Sequence, residues 1–247
     1  LIEANSPTTE VAVLMLNSGD KAVVTVPTPN GEVSYEGDAE IDGVPGCAAP
    51  VPLNFLETAG SLCGALLPTG NVVDEVDGIE LTLIDNGMPV VVMRARDFGV
   101  EGTETVDQLE ANEDLKKRLE SIRLQVGPLM NLGDVTDKTV PKMTLVSAPQ
   151  SGGVISTRSF IPHRCHSTIG VFAAVTVATA CLIPGTPTAE IAGDLSAAGS
   201  QLLIEHPSGA MAVDIEVEQS DGEITLKRSG FMRTARKLYE GQVFISE

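Results

Sequence analysis

The chain has 247 residues, enough for one large domain or two small ones, and its core must be aliphatic because aromatics make up 3% and tryptophan is absent. A formal charge of −18, spread along the chain rather than gathered in a tail, excludes nucleic acid and anionic membrane surfaces as partners and reads as a solubilising surface. Cysteines 47, 63, 165 and 181 show no Cys-x-x-Cys spacing, so reduced thiols in a cytoplasmic protein are the simplest account. Residues 1–7 lack the basic and apolar regions of a signal peptide. A strand pattern begins almost at once, and no initiator methionine precedes it, so the start reads as the interior of a longer chain.

In chain order, residues 11–16 form a continuous apolar run of the kind expected for a strand covered on both faces, and Asn17-Ser18-Gly19-Asp20 turns it into a return strand over 22–26. Residues 27–52 are rich in Gly, Pro and Asp and read as packed surface loop with short extended pieces. Ile79, Leu81 and Leu83 alternate with polar residues as in a half-buried strand, and the turn Asp85-Asn86-Gly87-Met88-Pro89 leads into an apolar strand over 90–93. Asn86 at that tip is open to two readings, a ligand-facing amide or an ordinary tight turn.

Thr105 and Gln108 fit a capping box, and Asn112 caps a second helical stretch. Leu115, Leu119, Ile122 and Val126 form its apolar stripe, and Gly127-Pro128 is expected to stop it. Strands follow at KMTLV and over 154–160. Lys138, Lys142 and Arg158 gather on this approach, either as carboxylate partners or as solvated surface. Further strands are predicted over 202–205 and 211–217, with a hairpin turn at Ser220-Asp221-Gly222 and a last strand over 243–245. Arg233, Arg236 and Lys237 form one local basic cluster.

The stretch FIPHRCHSTIGVFAAVTVATACLI, residues 160–183, organises the rest. Its uncharged run from Thr168 to Ile183 is too long for a typical strand and, at about 24 Å as a helix, short of a comfortable membrane span. A helix that is apolar all round must be buried all round, so the run reads as a core helix wrapped by sheet. Ser167 is then the natural N-cap, and the dipole end would favour an anion and lower the pKa of Cys165 towards a partial thiolate. Cys165 and His166, with Arg164 adjacent, suit proton transfer beside a bound carboxylate. The bland alternative is a structural thiol and a capped histidine. A zinc site from His163, Cys165, His166 and His206 is disfavoured, since adjacent Cys165 and His166 fit one tetrahedral ion poorly.

The segments IDGVPGCAAPVPLNFLETAGSLCGALLPTGN, IDNGMPVVVMRARDFGV, LGDVTDKTVPKMTLV, STRSFIPHRCHSTIGVFAAVTVATACLIPG and RTARKLYEGQVFI together resemble the PrpF family, across essentially the whole chain. The resemblance implies an α/β, diaminopimelate epimerase-like fold, with barrel-like sheets wrapped around central helices. Residues 1–77 would be the remainder of a first domain, joined by a C-terminal strand near 238–247. Residues 78–237 would form the second, around a central helix over 167–183. Family members begin with a further region carrying a Gly-Gly-Thr-Ser-Lys-Gly segment and an Asn-Cys-Gly-Asn loop, neither of which stands in this sequence.

The activity so implied is a cofactor-independent allylic isomerisation of an unsaturated di- or tricarboxylate such as 4-oxalomesaconate or methylaconitate. A base removes a proton, charge spreads into a dienolate, and an acid returns a proton at the other end. Cys165 or His166 would supply acid/base chemistry, with no metal or cofactor. Ser18, Asn86, Met88, Lys142, Arg158, His163 and Ser167 would hold the polycarboxylate. The competing reading is a non-catalytic polycarboxylate-binding or enzyme-accessory paralogue. Uncovered strands in an incomplete first domain would favour a homo-oligomer.

Overall fold

The computed structural model describes residues 2–16, 19, 21–220 and 223–245. Ser18 and most of the turns at Asn17 to Asp20 and Ser220 to Gly222 lie outside them. The N-terminal hairpin pairs β1 (Thr8–Leu14) antiparallel with β2 (Lys21–Pro27). A small hairpin, β3 (Ala39–Ile41) and β4 (Val44–Ala48), follows, and then β5 (Pro50–Leu56) joins the main sheet. The sequence analysis assigned 27–52 to loop, and the prolines explain why. Strand β2 pairs only with Leu53 to Leu56 of β5, so Pro50 and Pro52 lie where one edge is free and a missing N–H removes no ladder bond.

The chain continues through β6 (Asp74–Val76), β7 (Ile79–Asp85) and β8 (Pro89–Arg94) to two helices, α1 (Val106–Ala111) and α2 (Glu113–Leu129). The capping box between Thr105 and Gln108 is present, and the Asn112 side chain accepts the Leu115 N–H at 3.0 Å, which is why one amphipathic region divides there. Pro128 falls inside α2 rather than ending it at Gly127. Then come β9 (Lys142–Ser147), β10 (Ile155–Phe160), α3 (Val171–Cys181), α4 (Pro187–Ala192), β11 (Gln201–His206), β12 (Gly209–Ser220) and β13 (Glu223–Thr234).

Eleven strands form one continuous sheet in the order β1-β2-β5-β13-β12-β11-β10-β9-β8-β7-β6, antiparallel except at β8–β9 and β10–β11. The sheet curls round α3, which packs on β7, β8, β11, β12 and β13. Residues Ala173 to Cys181 are buried on every side, as a helix without a polar face requires. Beyond β7 to β9, α2 seals the other face through Leu115, Leu119, Ile122 and Val126.

Three further expectations change. The central helix runs over 171–181 rather than 167–183. Gly170 is its extended N-cap (φ −66°, ψ 143°), because the preceding residues are drawn back towards β10 by a bridge between Phe160 and Cys165. Residues 235–245 are not a strand. The strand expected near 238–247 to join the first domain is therefore not seen among the described residues, and β5 pairs with β2 and β13. Strand β1 is not covered on both faces: it is the sheet's edge, and Leu14 is 57% exposed.

Candidate functional site at the entry to the central helix

Strand β10 delivers the chain into a tight return, in which the Ile161 N–H donates to the Arg164 carbonyl at 2.9 Å and the His166 N–H to the Ser159 carbonyl at 2.7 Å. Cys165 is thereby folded back against Phe160 and buried, and its own N–H donates to the Glu110 carboxylate on α1. The expected low-pKa thiolate is not what this geometry gives. The helix begins six residues after Cys165, too far for its dipole to act within the first turn. Burial pushes the thiol up to about 11, the Arg158 guanidinium opposes that rise, and the Glu110 carboxylate adds to it. Cys165 is therefore a neutral thiol at pH 7.

His166 is held by Thr168, whose N–H donates to Nδ1 at 2.9 Å and whose hydroxyl lies 3.0 Å from the same nitrogen. An amide N–H can only donate, so Nδ1 is an acceptor and the neutral ring carries its proton on Nε2. Ser167 is exposed and caps nothing, which corrects its assignment as N-cap. His163 stands apart, its side chain 63% exposed with Nδ1 3.7 Å from Glu120 Oε2 on α2.

Arg158 is buried on β10. Its Nε donates to the Glu104 carbonyl at 2.8 Å and its Nη1 to the Thr157 carbonyl at 2.9 Å. It lines a polar cavity of about 410 Å³ with Thr103, Gln150, Glu205 and His206. Burial alone would raise the Glu205 carboxyl, but the N–H groups of Gln150, Gly153 and Ser151 and the Arg158 charge hold it below the usual range. Met88 and Lys142 share a smaller cavity of about 130 Å³ with Ser159, Ile161 and the first turn of α3. Burial pulls the Lys142 pKa down, helped by Arg123, and its Nζ donates to the Thr139 carbonyl at 2.6 Å.

Asn86 is fully buried and committed internally. Its Oδ1 accepts from the Thr58 hydroxyl at 2.5 Å, and its Nδ2 donates to Thr179 Oγ1 at 2.9 Å and Ser229 Oγ at 3.1 Å. It pins the β7–β8 turn to α3 and β13. The next residue is glycine for a visible reason: φ is +83°, and a Cβ would stand 2.5 Å from the Phe172 ring in the first turn of α3.

A cavity of about 700 Å³ opens at the start of α3, and neither Cys165 nor His166 is among its lining residues. One wall is Thr168 to Val171 at the start of α3, another is His206 with Ala210 to Ala212, and a third is Met232 to Thr234 at the end of β13. The β3–β4 hairpin closes the last side. Two of its polar residues, His206 and Arg233, were not among the predicted substrate ligands. His206 appeared only within the disfavoured zinc set, and Arg233 only within a local basic cluster. Strand register brings them to the helix from far along the chain, and no local pattern announces that. Burial lowers the His206 pKa, so the ring is neutral at pH 7.

A mixed sheet curled round a buried helix, with a cavity at the helix start, defines a diaminopimelate epimerase-like α/β protein. The family model described as PrpF protein matches residues 1–246, and the chain belongs to that family. It is 56% identical over 245 residues to the (4E)-oxalomesaconate Delta-isomerase of Novosphingobium sp. (strain KA1), covering 99% of this chain and 68% of that one. It is 53% identical over 245 residues to the 4-oxalomesaconate tautomerase of Pseudomonas putida, covering 99% of this chain and 67% of the relative. The crystal structure of a methylitaconate-delta-isomerase superposes with a TM-score of 0.88 at 29% identity, over 98% of this chain and 67% of that one. The chain is an isomerase.

Proposed function

We propose that this isomerase moves a double bond by allylic proton transfer in an unsaturated polycarboxylate of the 4-oxalomesaconate type, without a cofactor, in the cytoplasm. The observation that carries the reading is identity above 50% to two proteins named for oxalomesaconate isomerisation, over a chain with a cavity of about 700 Å³ at the start of the central helix. A base takes the proton from the carbon between the double bond and the activating carbonyl. The electron pair spreads into a dienolate, and a proton is returned at the far end of the allyl unit, so product and substrate differ only in where hydrogen and double bond lie. Cys165, a neutral thiol, is the proton donor. His166, with Nδ1 satisfied, offers Nε2–H as a hydrogen-bond donor to developing negative charge. Arg158 neutralises a carboxylate in the adjoining polar cavity.

The test is proton exchange. The purified chain is incubated with 4-oxalomesaconate in deuterated water, alongside Cys165→Ser, and deuterium in the allyl unit is followed by NMR. Uptake by the wild type, reduced at least a hundredfold in the variant, is the expected result. A folded protein that takes up no deuterium would overturn the catalytic reading and leave polycarboxylate binding.

A further inference from the structure

We propose that Arg233 is a specificity-determining residue, a guanidinium that grips a carboxylate of the ligand in the large cavity at the start of α3. The inference rests on the polycarboxylate reading above and deepens it by assigning a residue to one charged end of the ligand. In a chain of net charge −18, cations are scarce and most arginines are spoken for. Arg94 pairs with Glu80 and Glu190, Arg123 with Glu120 and three carbonyls, and Arg228 with Asp214, while Arg118 donates to the Asp97 carbonyl and Arg236 to that of Pro45.

Arg233 differs from these. It is half-buried, and among the described residues no carboxylate lies within ion-pair distance of it. Its one hydrogen bond is a long one, 3.5 Å, to the carbonyl of Met232 beside it. Its guanidinium carbon lies over the Phe231 ring, 4.3 Å from the centroid, a cation–π contact that leaves most of its N–H groups free. Strand β13 ends in the wall of the 700 Å³ cavity and presents this side chain across from Thr168 to Val171. Gly170 supplies no side-chain cap, so the first-turn N–H groups of α3 add donors on the opposite wall.

The acids of that cavity do not compete for the guanidinium. Asp42 accepts the Ala210 N–H at 2.7 Å, and Glu40 accepts the Cys47 thiol at 3.2 Å. A planar bidentate donor held by an aromatic face, with hydrogen-bonding capacity unspent and no internal counter-ion, matches the geometry of a carboxylate. A monocarboxylate could not satisfy Arg233 and Arg158 together. The adjoining cavity shares His206, Leu203 and Asp42 with this one and holds Arg158 beside the Glu205 carboxylate, so the two guanidiniums together favour a ligand with more than one carboxylate.

The experiment uses the full chain and the unreactive probe tricarballylate, with glutarate and acetate as shorter-charge controls. Calorimetry should show tricarballylate binding at least tenfold more weakly in Arg233→Gln than in the wild type, with Arg233→Lys intermediate and acetate unaffected. Phenylglyoxal, which modifies accessible arginines, provides a measurement on the unmutated protein: tricarballylate should slow modification of Arg233, located by peptide mass spectrometry, severalfold. Probe affinity within twofold of wild type in a variant that unfolds normally, or modification of Arg233 at the same rate with and without the probe, would overturn the assignment. These readouts stand apart from deuterium exchange. A chain that binds tricarballylate through Arg233 but exchanges no deuterium would refute the catalytic reading and keep this one, and exchange with Arg233→Gln binding normally would do the reverse.

Discussion

The two ends of the eleven-stranded sheet are built from similar sequence and end in opposite environments. Strands β7 and β8 carry Leu83, Ile84, Val90, Val91 and Val92 with no measurable exposure, because α3 covers one face and α2 the other. Strands β1 and β2 also carry apolar runs, yet Leu14 is 57% exposed and only a small cluster around Ala22, Phe55 and Phe231 forms beneath them. The difference teaches that an apolar strand becomes core only where a helix supplies its second layer. Propensity makes the ladder, and coverage decides the energy.

The largest expected break in that contrast is Leu83→Ala in the covered half, which should cost about 2–5 kcal/mol in urea denaturation by opening a cavity that rigid neighbours cannot fill. Asn86→Ala should follow at about 1–3 kcal/mol, since the partners Thr58, Thr179 and Ser229 would be left buried without it, and the loss should show as a lower denaturation midpoint with unchanged m-value.

Asp85 sharpens the contrast through pH. It is fully buried, and its Oδ2 accepts from the N–H groups of Leu62 and Cys63, each at 2.8 Å, while Oδ1 has no partner. Burial raises its pKa despite those bonds. A carboxyl raised on folding holds its proton more tightly in the native state. It therefore favours folding at low pH and costs stability as pH rises from its unfolded value of about 3.9 through the folded one. Asp85→Asn should remove that slope, checked by denaturation at steps from pH 4 to 7.

Thiol labelling extends the contrast between covered and uncovered chain to two cysteines elsewhere in the fold. Cys47 is exposed on β4, whereas Cys165 is buried with its pKa near 11. Iodoacetamide at pH 8 should therefore modify Cys47 at least tenfold faster than Cys165, and Cys165 labelling should keep rising up to about pH 11. The smallest effect is expected for Leu14→Ala, within about 0.5 kcal/mol, because little of that side chain leaves water on folding.

Much of the architecture was legible in the sequence. The uncharged run after His166 required burial, the capping residues Thr105 and Asn112 placed the break between α1 and α2, and the alternation at Ile79, Leu81 and Leu83 announced a strand. These rest on local rules: helical period, side-chain acceptors for free N–H groups, and the two-residue repeat of a pleat. The PHRCHSTIG segment ends in Thr168 to Gly170, which line the 700 Å³ cavity, whereas Cys165 and His166 are not among the lining residues.

What the sequence could not supply was decided by contacts far apart along the chain. The bridge between Phe160 and Cys165 moved the helix start to Gly170 and turned an expected thiolate into a neutral thiol. Strand register carried Arg233 and His206 into one cavity wall, and it buried Asn86 against residues 90 and more positions away. Local propensity acts over a few residues, whereas desolvation and hydrogen-bond partnership depend on which distant surfaces meet. The elements were therefore readable in advance, and the electrostatics of the site existed only once the sheet had closed round α3.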